Sequence, residues 1–217
     1  MTEITANSRT TSNNLRQWLF NPFRFVAGYK ALLLGLGAIL ISGFVGSFSN
    51  THFDGVLDVH IGLEGPLWFF LAEGLINWIC VVIPLFFFGL IVSRSSFRMI
   101  DVFGTQALAR LPYLIAALAM LPDGNKRAGM YLMSKLTPAA ATVPINYTDM
   151  LIFASAVILT ILMAIWMVAL MYRAYAVSCN IKGAKAATTF IASLIGAEAS
   201  SKAVILMLWG NLHIFYG

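Results

Sequence analysis

The chain has 217 residues, of which 59% are hydrophobic and only 11% charged, and its mean hydropathy is +0.82. A soluble domain carries about 25% charged residues, so this chain lacks the polar surface to cover a water-soluble core of its length. Its net charge of +5 would suit nucleic acid, but the basic residues flank long apolar runs. Orientation in an anionic bilayer explains that placement, and nucleic acid is excluded as a partner.

Residues Met1 to Asn14 are rich in Thr, Ser and Asn and read as a flexible tail. From Leu15 to Phe25, Trp18, Phe20, Phe23 and Phe25 interleave with Arg16 and Arg24. Such a mixture suits the headgroup layer. Asn21-Pro22 is a helix-start signature.

The first span is expected from about Val26 to Phe48. Ala27, Ala31, Gly35, Ala38, Ser42 and Gly46 recur at spacings of four and three, which puts all six on one helix face. A small-residue face lets another helix come close, since packing holds helices together in lipid. The face is read as buried against the rest of the bundle, with a homodimer contact as the alternative. The first loop, Ser49 to Pro66, holds Asp54, Asp58 and Glu64 and no Lys or Arg.

The second span runs from about Leu67 to Val92 with Pro84 inside it, where a kink is expected. Ser93 to Arg98 is a short turn with two arginines. The third span, Met99 to Leu121, carries Arg110, with Pro112 two residues later. The loop from Pro122 to Asp149 opens on Asp123-Gly124-Asn125, which is turn chemistry. Met130, Tyr131, Leu132, Met133 and Leu136 then alternate with Lys126, Arg127 and Lys135, and predict an amphipathic helix on the membrane surface. The fourth span is expected from about Met150 to Tyr172. A basic loop, Arg173 to Lys185, leads to the fifth, from about Ala186 to Gly210.

Positive charge concentrates before the first span and in the second and fourth loops, while the first loop has none. The positive-inside rule therefore predicts a cytoplasmic N-terminus and, after five spans, an external C-terminus. Lys126, Arg127 and Lys135 in the third loop are the mild exception. Cys80 and Cys179 are too few for a disulfide framework and read as reduced, buried residues.

Ionisable groups at membrane depth cost a few kcal/mol or more and face partners or water. Glu73, Arg110, Glu198 and Lys202 are such groups, with Asn77 and Gln106 as polar companions. At 1.5 Å per residue, Glu73 and Lys202 lie roughly 9 and 12 Å inside the external end, and Arg110 and Glu198 roughly 16–18 Å. Equal depth predicts two pairs, Glu73 with Lys202 and Arg110 with Glu198. Glu198 and Lys202, one turn apart, can also pair with each other. The network is read as fixing helix register, with a proton- or ion-coupled pathway as the alternative. A pathway needs a continuous polar stripe, and the half around Phe86 to Leu90 and Ile191 to Leu194 is apolar.

His52, His60 and His213 all fall on the expected external side and read as solvated residues. His52-x-Asp54 and Asp58-x-His60 could converge on a metal, but no helix or strand spacing fixes these ligands together. No metal or other cofactor is expected. No nucleophile motif, zinc-protease motif or phosphate-binding loop occurs, so the chain reads as non-enzymatic.

Three stretches resemble the Yip1 family. Phe20-Asn21-Pro22-Phe23-Arg24-Phe25 is similar to the segment before the first span in bacterial members. Asp101-Val102-Phe103-Gly104 with Leu111-Pro112-Tyr113-Leu114 is similar to their third span. Trp166 through Tyr172, followed by Asn180-Ile181-Lys182-Gly183-Ala184-Lys185-Ala186, is similar to their fourth span and basic loop. The Asp-Leu-Tyr-Gly-Pro signature of eukaryotic members does not occur. What the resemblance implies is therefore mainly topology: one domain over residues 15–217, in a bacterial inner membrane, with no activity defined by the family. The expectation is an all-α bundle of five transmembrane helices, acting through contacts of its helix faces with itself or with other membrane proteins. A small-solute or ion transporter is the alternative.

Overall fold

The computed structural model describes residues 15–62, 64–136 and 144–216. The tail expected over Met1 to Asn14 lies outside them. Five helices are long and apolar enough to cross a membrane: Gly28–Ser49, Leu67–Val92, Met99–Ala119, Tyr147–Ser178 and Gly183–Gly210. The protein is an all-α, multi-pass membrane bundle.

Helical residues 15–20 precede a 3-10 turn, Pro22–Arg24, with Asn21 as its N-cap. Pro22 starts a helical turn as expected, but the first span begins later, at Gly28. Helix α1 is Gly28–Ser49 and ends on Asn50 in the left-handed region at φ 51. Asn tolerates that conformation better than other non-glycine residues. Ala27 is the extended N-cap of α1 and is exposed. The other five small residues, Ala31, Gly35, Ala38, Ser42 and Gly46, are all buried.

Two two-residue strands follow, β1 (Thr51–His52) and β2 (His60–Ile61), paired antiparallel with Thr51 opposite Ile61. Helix α2, Leu67–Val92, continues through Pro84. The third span is two helices, α3 (Met99–Leu108) and α4 (Pro112–Ala119). Pro112 has no N–H to donate. Arg110 N bonds Ala107 O and Leu111 N bonds Leu108 O, a tightened 3-10 step that carries the chain across the break.

Helix α5, Asp123–Leu136, is the expected amphipathic segment. Asp123, Gly124 and Asn125 form its first turn rather than a separate loop turn. Helix α6, Tyr147–Ser178, starts under an Asn146 cap whose side chain accepts from Asp149 N at 2.7 Å. Asp149 in turn accepts from two of the three Arg127 guanidinium nitrogens, Nε at 2.8 Å and Nη2 at 2.6 Å, tying α5 to α6. Helix α7, Gly183–Tyr216, completes the fold.

The third span is the axis of the bundle. Its membrane window is 67% buried inside the chain, against at most 39% for any other span. Helix α1 packs along α3 and α4 and against α2, while α7 leans on α2 and α6 on α3, α4 and α5. A Cβ at Gly35 would overlap the Ala107 and Leu108 backbone, so the small-residue face of α1 lies directly on the third span. Van der Waals contact of this kind is the main attraction between helices in lipid. Helices α6 and α7 meet next to their connecting turn, where Tyr172 meets Phe190 edge-on, Tyr175 stacks on Phe190 and Tyr175 bonds Thr189. Beyond that point each follows a different neighbour.

Candidate functional site

The polar residues of the spans gather at the end of the bundle that carries the first loop. The loop itself is what joins them. Its β1–β2 ribbon is closed by Gly62 N bonding Asn50 O at 2.9 Å. Between the strands, Phe53 and Val56 are buried in the main apolar cluster. Phe53 stacks on Tyr113 of α4 at 5.1 Å, and the Tyr113 hydroxyl reaches Val56 O at 3.4 Å. An apolar residue every few positions turns this connector into a plug.

Two polar clusters hold the plug in place. The deeper one centres on Glu73 of α2. Its Oε1 lies 2.8 Å from His52 Nδ1, and its Oε2 accepts from Phe53 N at 3.1 Å. Asn77, one turn further along α2, donates its side-chain amide to Phe53 O. The Asn77 carbonyl then accepts from Arg110 Nη2 at 3.0 Å. His52, Glu73, Asn77 and Arg110 are all buried. His52 is also stacked on Phe70 at 4.4 Å and lies beside Phe69 and Trp209.

The second cluster lies at the rim. Glu198 of α7 accepts from Leu57 N at 2.9 Å. Lys202, one turn on, reaches Asp58 at 2.6 Å and Glu198 at 3.7 Å. His60 donates to Asp54 at 3.1 Å. A Cβ at Gly55 would displace the Glu198 carboxylate from its present position. The Asp54 bond lifts the His60 pKa, against burial, with Asp58 and Glu73 adding to the rise. Burial pushes Asp54 the other way, yet His60 and Lys202 outweigh it and hold the Asp54 carboxyl below its ordinary range.

Several expectations from depth alone are corrected by this geometry. Glu73 pairs with His52 and the loop backbone, not with Lys202. Arg110 bonds a backbone carbonyl, not Glu198. The Glu198–Lys202 contact along one helix does form. Gln106 stands apart: its amide donates to Met171 O at 2.9 Å and joins α3 to α6. Counting residues along helices gave each charge a depth but no direction, and it omitted the loop, whose groups reach the helices first. His52 is not solvated but buried, and the side chain of His213 lies outside the described residues.

Donor atoms of Asp54, Asp58 and His60 lie within 4.8 Å of one another, so three of the four residues of the two short histidine motifs do converge. Their charges are already matched, however, by the Lys202 ammonium on Asp58 and the His60–Asp54 bond. A cation would have to displace Lys202, and His52 is turned away to Glu73. The readable signal for the plug was the alternation of Phe53, Val56, Leu57, Val59 and Ile61 with acids and glycines, unusual in a segment exposed to water.

Comparison of the chain with protein-family models, with curated proteins and with solved structures gave no match in any of the three. The arrangement fastens an extramembrane segment to three spans. It also leaves one buried guanidinium, that of Arg110, facing no carboxylate, with its Nε lacking any bonded partner among the described residues.

Proposed function

We propose that this chain is a Yip1-like integral membrane protein that acts without catalysis, by binding other membrane proteins or further copies of itself through its helix faces. The one observation that carries the reading is how the intramembrane polar groups are used. Glu73, Asn77, Glu198 and Lys202 all bond the first loop, so they serve as fasteners. Towards the opposite end, Val81, Val82, Leu85, Val102 and the neighbouring Phe86 and Phe103 belong to one apolar cluster. Thr105 and Ser178 there bond each other and the Asp101 carbonyl. A conduit for ions or small solutes would need polar side chains along that stretch.

The same reading places the chain in a bacterial inner membrane, with the N-terminus cytoplasmic and the plug periplasmic. Its support is the charge distribution: Arg16, Arg24, Lys30, Arg94, Arg98, Arg173, Lys182 and Lys185 belong to one side under the positive-inside rule. The faces offered to a partner are those of α6 and α7, where Ile158, Ile165, Ile195 and Leu206 point away from the bundle.

A photo-crosslinking amino acid at each of these four positions tests the proposal in intact membranes. Discrete protein adducts on α6 or α7, absent from the buried control Met167, are expected. Lipid adducts alone at all four positions, together with ion or solute flux in proteoliposomes, would favour the transporter reading instead.

A further inference from the structure

The Arg110 guanidinium is only 3% exposed and lies in the middle of the third span. A cation so placed is several kcal/mol unfavourable unless something compensates its charge. Among the described residues no carboxylate is paired with it, and Glu198 acts on it only from beyond contact distance. Glu73 is occupied by His52 and Phe53 N, and Glu198 by Leu57 N and Lys202. Asp54 holds His60 and Asp58 holds Lys202. Of the five N–H groups of Arg110, the described bond to Asn77 O uses one.

A cavity of about 20 Å³ adjoins the guanidinium, lined by Ile39, Ser42 and Gly43 of α1, Gly74 of α2, Phe53 of the plug, and Arg110 and Tyr113. Nothing in that lining is acidic. The Ser42 hydroxyl donates to Ala38 O at 2.7 Å, so its hydrogen is spent within α1. The Tyr113 hydroxyl donates its hydrogen to Val56 O at 3.4 Å, a long bond that a closer acceptor in the cavity would replace. The space exceeds the roughly 10–15 Å³ that one water needs, yet it is too small for phosphate, sulfate or a carboxylic acid. A water would supply a dipole but no charge.

We propose that Arg110 binds a monatomic anion of halide size in this cavity. The ion accepts from the guanidinium and from the Tyr113 hydroxyl, and it neutralises a buried charge that no described carboxylate pairs with. Docking of Phe53 closes the site from the loop side, so ion and plug stabilise each other.

The test is an anion series on the purified full-length protein, read as the thermal midpoint from tryptophan fluorescence. Chloride and bromide are compared with gluconate, which the cavity cannot admit, at equal ionic strength. The expected result is a saturable rise of a few degrees with chloride, reproduced by bromide and absent with gluconate. Arg110→Gln should abolish the difference. Should that variant fail to fold, bromide anomalous scattering on the wild-type protein locates the ion directly. A bromide peak beside Arg110 supports the proposal. Coincident midpoints in chloride and gluconate, or a halide effect that persists in Arg110→Gln, overturns it and leaves the cavity to water.

Discussion

His52 Nδ1 sits 2.8 Å from Glu73 Oε1, and both side chains are only 1% exposed. A residue of the first loop thus supplies the partner for the charge on the second span. Removing one member of a buried hydrogen-bonded pair leaves the other without its partner, which costs about 1–3 kcal/mol. Glu73→Ala also strips the acceptor from Phe53 N. The expected loss for Glu73→Ala is therefore at least as large as for His52→Ala. In the double variant the two losses should fall short of their sum by about 0.5–3 kcal/mol. Unfolding in bicelles measures all three, and strict additivity would contradict the pairing.

The rim contacts should behave differently. Lys202 and Asp58 are each about two-fifths exposed. Solvent screens such a pair, and its removal is worth about 0–1 kcal/mol. Lys202→Met is expected to be nearly silent in the same unfolding experiment, whereas Glu198→Ala, which orphans Leu57 N, should loosen the plug. Protease sensitivity near Gly55 reads that loosening directly.

Docking of the loop is expected to depend on pH through His60 and Asp54. The His60 pKa is raised above 6.5, so its contribution is complete below 6.5 and is lost as pH climbs through the raised value. The Asp54 pKa is lowered below 3.8, so its contribution is complete above 3.8 and is lost as pH falls through the lowered value. The plug should therefore be held best between these limits. Asp58, Glu73 and Lys202 also face the pair and shift both edges in the directions already included. Hydrogen exchange of Asp54 to His60 should quicken on the alkaline side in the wild-type protein. In His60→Gln the alkaline step should be missing, and an unchanged step would assign it elsewhere.

Two glycines of α1 separate close packing from ordinary helix propensity. A side chain at Gly35 meets the backbone of the third span, while at Gly37 nothing lies within 4 Å. Gly35→Ala should destabilise by about 1–3 kcal/mol through overpacking. Gly37→Ala should be neutral or gain up to about 1 kcal/mol, since Ala is the better helix former. Equal effects at the two positions would mean that α1 does not lie where the structure places it.

The helices were largely legible in the sequence because length and hydropathy set them. The second span was expected over Leu67 to Val92 and is found there. The break beside Arg110 was readable from Pro112, since a missing N–H at that position has only one local consequence. The fourth span was expected from about Met150 to Tyr172, within α6. The helix runs on to Ser178, since a helix need not end where the bilayer does. The partners were not legible. Phe53 to Val59 is a short irregular segment whose apolar residues mark it as partly buried but whose uneven spacing does not reveal which side chains meet which helix. Its path depends on pockets formed by α2, α4 and α7, residues far away in the chain.

The plug also dictates an order of assembly. Leu57 and Glu198 are 141 positions apart, and Asp58 and Lys202 are 144 apart. During synthesis the loop emerges early, yet its last fasteners do not exist until the fifth helix has left the ribosome. Until then the second and third spans can hold only the deeper part of the loop, through Glu73, Asn77 and Tyr113, and its rim part at Leu57 and Asp58 has no fastener. The final helix then acts as the latch for that rim. A chain stopped before Glu198 would keep the deeper fasteners of the plug and lack both of those at its rim.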